Sequence, residues 1–171
     1  MGEQEGHKIA RKILERLYEA WERHTHISLN PVEKEGGWDR GVFRTVVEKL
    51  EKQHGLIRSC GSSYTFELTP SGVLYAEENA VVPKDRADWH GKVRRHILSF
   101  LADLYDKEGG RAHAHWEKIA ECATVQDNMK ILQDLSLLSN LGYVKATSVS
   151  TFRITEEGLC HYRGMDYEEI V

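Results

Sequence analysis

The residues of this chain best suited to chemistry are guanidinium and imidazole groups. Arg40 and Arg44 stand four residues apart in a stretch whose apolar members, Val42, Phe43, Val46, Val47 and Leu50, recur at helical spacing. Two guanidinium groups one turn apart can reach phosphates or base edges, because arginine carries a permanent charge on a planar fork of donors. His24-Thr25-His26 and His113-Ala114-His115 are the other candidates. Alternate side chains on an extended segment share a face, so each pair can offer two imidazoles to a metal ion. Neither pair has a third ligand close in sequence, so no metal or other cofactor is expected.

The patterns that announce catalysis are missing. There is no phosphate-cradling Gly-x-x-x-x-Gly-Lys, no Gly-x-Gly-x-x-Gly, no nucleophile elbow and no His-Glu-x-x-His. Gly36-Gly37 and Gly109-Gly110 read as turn punctuation, and an enzyme is not expected.

The elements that must position these residues occur twice. Gly55-Leu56-Ile57-Arg58, followed by Phe66-Glu67-Leu68-Thr69-Pro70-Ser71-Gly72, returns as Gly142-Tyr143-Val144-Lys145, followed by Phe152-Arg153-Ile154-Thr155-Glu156-Glu157-Gly158. Upstream, Ile13, Leu14, Leu17 and Trp21 match Ile97, Leu98, Leu101 and Tyr105, and the stripe from Val42 to Leu50 matches Ile131, Leu132, Leu135, Leu138 and Leu141. The offset drifts between 84 and 88 residues, which assigns the insertions to loops, where they cost little. With 171 residues the chain is long enough for two small units, predicted at 1–83 and 84–171, with 80–85 as a stiff joint.

Within the first unit the periodicity predicts helices over 7–24 and 39–54, strands over 56–60 and 64–68, and a helix starting near Thr69. The second unit repeats this with helices over 93–106, 115–123 and 127–141, strands over 143–147 and 150–154, and a last helix near Thr155. The stretch 29–38 is rich in helix breakers, so no well-patterned second helix is expected in the first unit. The fold class is therefore mostly α with small β-hairpins, an α+β arrangement.

Composition narrows the partners. The chain is 40% hydrophobic and 29% charged, and no apolar run approaches the roughly 18 residues a membrane span needs, so no membrane partner is expected. The first residues lack the basic start and apolar stretch of a secretory signal, which points to a cytoplasmic protein. Cys60, Cys122 and Cys160 are odd in number and widely spaced, as reduced thiols are. The net charge of −4 is shared evenly, so phosphate binding needs positive residues gathered on one face.

In its order of elements the chain resembles the winged helix-turn-helix superfamily, in two tandem copies. The resemblance rests on Leu50-Glu51-Lys52-Gln53-His54-Gly55-Leu56-Ile57 with Phe66 to Gly72, and on Leu138-Ser139-Asn140-Leu141-Gly142-Tyr143-Val144 with Phe152 to Gly158. It implies that the third helix of each copy enters the major groove of double-stranded DNA and that the hairpin touches the backbone. Carried over by position, the DNA-facing residues are Arg40, Arg44, Thr45, Lys49, Lys52 and Arg58 in copy one, and Gln126, Asn128, Lys130, Gln133 and Lys145 in copy two, with Asp134 also outward. The implied function is a transcriptional regulator whose two copies act as an internal pseudo-dimer on an asymmetric site. The alternative is a winged-helix module for protein–protein interaction in a larger assembly, anchored by Trp38, Trp89 or Trp116.

Overall fold

The computed structural model describes residues 3–61, 63–123 and 128–168. These residues are mostly helical, with two small antiparallel sheets of three strands. They divide into two compact units, Met1–Ala87 and Asp88–Val171. No helix among the described residues is long and apolar enough to cross a membrane.

The first unit begins with α1 (Glu3–Glu22), which buries Ile9, Ile13, Leu14, Leu17 and Tyr18 along one stripe. β1 (Ile27–Ser28) leads to α2 (Asn30–Gly36) and α3 (Arg40–Glu48). Asp39 caps α3 by accepting from the Val42 N–H at 3.0 Å. A π-helical turn, Lys49–Gln53, then leads to the hairpin β2 (Ile57–Ser59) and β3 (Thr65–Leu68), and α4 (Pro70–Glu78) closes the unit. The strand order is β1-β3-β2, with Ile57 opposite Leu68 and Ile27 opposite Phe66. Strand alternation turns Ile57, Phe66 and Leu68 into the core beside Phe43 and Val47 of α3.

The breaker-rich stretch 29–38 does form a helix, α2. Its breakers sit where helices accept them: Pro31 lies in the first turn, where the missing N–H has no partner to lose, and Gly37 ends the helix with φ +62°.

The second unit repeats the order: α5 (Lys84–Glu108, belonging to this unit from Asp88 onward), β4 (Ala114–His115), α6 (Trp116–Cys122), α7 (Asn128–Asn140), β5 (Val144–Ala146), β6 (Thr151–Ile154) and α8 (Glu156–Glu168). Its sheet order is β4-β6-β5, and Val144 opposite Ile154 reproduces the pair Ile57 and Leu68. Ile97, Leu101, Ile119, Ile131, Leu135, Leu138 and Phe152 form its core.

The repeated glycines and threonines have one physical explanation in both units. Gly55 and Gly142 leave the third helix with φ +62° and +83°, the left-handed conformation that turns the chain into the hairpin. The Thr69 hydroxyl donates to the Gly55 carbonyl at 2.6 Å and accepts from the Gly72 N–H at 3.0 Å; Thr155 does the same between Gly142 and Gly158, at 2.6 and 3.0 Å. A methyl group on Gly72 would come within 1.9 Å of the Leu56 carbonyl oxygen, and one on Gly158 within 2.0 Å of the Tyr143 oxygen.

One of the drifts in the repeat is absorbed inside a helix rather than in a loop. Five steps separate Leu50 from Gly55, but only four separate Leu138 from Gly142. The additional residue is taken up by the π-turn: the His54 N–H bonds to Lys49 O, five residues back, and Leu56 N–H reaches Leu50 O, six back, whereas Tyr143 N–H reaches Leu138 O, five back. A single inserted residue with its backbone bonds kept is the usual origin of such a turn.

The units also differ where their first and third helices meet. In the first, Gly6 faces Val46, 3.9 Å from where a Cβ on the glycine would lie. In the second, Asp134 is fully buried, bonded to His90 Nδ1 at 2.7 Å and to Arg94 at 3.1 Å. Asp134 therefore faces inward, against the expectation that it is an outward residue of the third helix. Its partners lie 44 and 40 residues earlier in the chain, and they offset a carboxylate that burial would otherwise leave uncompensated.

Candidate nucleic-acid interface

On α3 of the first unit Arg40 and Arg44 are both exposed, one turn apart on the same helix. Arg44 lies over the ring of Tyr64 at 5.0 Å, which joins this face of α3 to the end of the hairpin loop. Tyr64 itself has φ +56°, and its ring meets Phe66 edge-on at 5.1 Å. Its hydroxyl is buried without a hydrogen-bond partner among the described residues. Burial pushes the Tyr64 phenol above its ordinary range, with Glu33 and Glu51 adding to the shift and Arg44 and Arg40 opposing it. The acid nearest Arg40 is Glu33 of α2, at 3.9 Å, the outer limit of an ion pair.

The other expected contacts of this unit have different degrees of freedom. Lys49 is exposed, and its ammonium makes no hydrogen bond or ion pair among the described residues. Lys52 pairs with Glu48 at 2.8 Å, and the two raise and lower each other's pKa through that bond and charge. The Thr45 hydroxyl donates back to Gly41 O at 2.9 Å, as helical threonines commonly do. Arg58 is held by Glu67, directly opposite it on β3. The cations open to a ligand here are thus Arg40, Arg44 and Lys49.

In the second unit Gln126 lies outside the described residues, and Asn128 is the first residue of α7. Lys130 is exposed, its ammonium 5.5 Å from the Trp89 ring. Gln133 is half-buried. Lys145 is exposed on β5, directly opposite Arg153 of β6.

Arg153 is a candidate that sequence reasoning passed over. Its signal was in the repeat: Arg153 occupies the place of Glu67, so Arg58 facing a carboxylate becomes Lys145 facing a second cation. Like charges directly across a strand pair disfavour each other, and an anion bridging them removes the penalty. No acidic partner of Lys145 or Arg153 occurs among the described residues.

The histidine pairs separate as well. Strand register aligns His26 with His113, each just before the first strand of its sheet. His115 instead caps α6, accepting from the Glu117 N–H at 3.4 Å, as Ser28 Oγ does from the Asn30 N–H in the first unit. Among the described residues one group of metal-capable donors comes together, His26, Cys60 and Glu67. Burial pushes the Cys60 thiol up, and Glu67 adds to this while Arg58 opposes it. A groove of about 380 Å³ in the first unit is lined in part by His7, Arg11, His54, Leu56 and Tyr75; at the positions of the last two, the second unit stacks Tyr143 on His161 at 4.1 Å.

Two of the three tryptophans considered as anchors are packed. Trp38 stacks on Phe43 at 5.9 Å, and Trp116 is partly buried against the core of the second unit. Trp89 is 37% exposed.

No protein-family model, no curated protein and no solved structure matches this chain.

Proposed function

We propose that the chain binds double-stranded DNA through two winged helix-turn-helix units and regulates transcription as a tandem reader of an asymmetric site. The observation that carries this reading is the exposed pair Arg40 and Arg44 on α3, joined to the hairpin through Tyr64. Two forks at one-turn spacing suit adjacent base edges or phosphates, and a hairpin beside them supplies backbone contacts. Lys145 and Arg153, unopposed by acids, support a phosphate-binding role for the second sheet.

The test is retention of the purified chain on a random duplex pool across a salt series, followed by sequencing of the retained DNA. An enriched motif with a steep salt dependence is the expected result. The double variant Arg40→Ala, Arg44→Ala should lose the motif. If nothing is retained at low salt, or if the double variant binds as well as the parent, the reading fails and docking to a partner protein takes its place.

A further inference from the structure

The face of the first sheet turned away from the core carries a set of donors of three chemical kinds. The alternation that buries Phe66 and Ile57 and partly buries Ile27 turns His26, Glu67 and Arg58 to the other side, and Cys60 follows Arg58 by two residues on that side. His26 Nδ1 stands 3.6 Å from Glu67 Oε2. The ligand atoms of His26, Cys60 and Glu67 all lie within 4.8 Å of one another.

We propose that His26, Cys60 and Glu67 form a binding site for one divalent transition-metal ion of the Zn²⁺ class, with water completing a four-coordinate shell. An imidazole nitrogen, a thiolate and a carboxylate are the three donor types that zinc accepts. Tetrahedral zinc holds such atoms about 3.3 to 3.6 Å apart. His26 and Glu67 already stand at that separation, and the set closes by no more than about 1 Å on binding, a movement within reach of His26, whose ring is largely exposed. Arg58 already holds the Oε1 atom of Glu67, which leaves Oε2 for the ion and fixes the carboxylate, as outer partners of metal ligands do. Mixed nitrogen, sulfur and oxygen donors disfavour Mg²⁺ and Ca²⁺, which take oxygen.

The second unit is a built-in control. At the matching positions it carries His113, Thr147 and Arg153, an imidazole, a hydroxyl and a guanidinium. A guanidinium cannot ligate a cation, so the matching place in the second unit takes no such ion. The site stands apart from the nucleic-acid reading, because its test measures the metal alone.

The test uses the reduced full chain, free of any affinity tag, titrated with Co²⁺ and followed by absorption. The expected result is a thiolate-to-cobalt charge-transfer band that saturates at one equivalent and is abolished by excess Zn²⁺. The double variant Cys122→Ser, Cys160→Ser keeps the band and Cys60→Ser loses it. His26→Ala and Glu67→Gln each weaken Co²⁺ binding about tenfold or more. Absence of a thiolate band in the parent chain overturns the proposal. So does loss of the band from the Cys122, Cys160 double variant when its circular dichroism matches the parent, or persistence of the band in Cys60→Ser.

Discussion

Gly72 and Gly158 sit over carbonyl oxygens at distances that leave no room for a methyl group. In Gly158→Ala the clash is with the Tyr143 backbone, which cannot swing aside like a side chain, so the second unit should lose about 3 kcal/mol. Hydrogen exchange in peptides of the second unit measures this; protection within a few tenths of a kcal/mol of the parent would show that the contact is soft. Tyr64 makes the opposite case, since its buried hydroxyl has no partner among the described residues. Tyr64→Phe should match or exceed the parent's stability at pH 7, by up to about 1 kcal/mol, because the ring and its contact with Arg44 are kept. Its pH dependence has a definite sign. The folded phenol titrates above the unfolded value of about 10, so its contribution is fully present below that pH and is lost as the pH rises through the folded value. The parent should weaken relative to Tyr64→Phe above pH 10, and denaturant midpoints at pH 8 and pH 11 check it. At this scale the glycine and threonine clasp was legible in the sequence, because it recurs as a local spelling. The inward turn of Asp134 was not, because it depends on His90 and Arg94 arriving from another helix.

Helix α3 and the π-turn that follows it bear on how the two copies diverged. The hydrogen-bond pattern allows the extra residue to be removed: deleting Gln53 from the first unit restores the four-step spacing from Leu50 to Gly55 that the second unit uses between Leu138 and Gly142. This deletion should cost about 1 kcal/mol or less. Deleting Asn140 leaves only three steps, pulling Leu138 and the strand β5 out of register, and should cost on the order of 3 kcal/mol or more. Thermal unfolding of the two deletion variants distinguishes them, and equal losses would mean that the π-turn is not the site of the insertion. Helices α1, α3, α5 and α7 were legible because their apolar stripes run for several turns. Helix α2, only seven residues long, was hidden because proline and glycine signal breaks unless they fall at its ends. The third strands β1 and β4, two residues each, carry no period of their own and form because the hairpin edge offers them partners.

Across the whole chain, charge is the property that the duplication has redistributed. The first unit holds 13 Lys and Arg against 14 Asp and Glu, and the second 10 against 13, so neither can hold a polyanion by bulk attraction. Binding on the proposed reading rests on two local groups, Arg40 with Arg44 on a helix and Lys145 with Arg153 on a sheet. The first unit neutralises its sheet through Glu67 and leaves its helix basic; the second buries Asp134 with Arg94 and leaves its sheet basic. The two copies thus differ in how they would meet DNA, one through a helix face and the other through a strand pair. Each pair that contacts phosphates contributes about 1.8 to the slope of log affinity against log salt. Lys145→Ala, Arg153→Ala should flatten that slope by about two while leaving the enriched motif intact, because phosphate contacts carry no sequence information. Arg40→Ala, Arg44→Ala should degrade the motif itself. If the sheet variant instead alters the motif and leaves the slope unchanged, the second unit reads bases, and the division of labour between the copies is the reverse of the one argued from their charges.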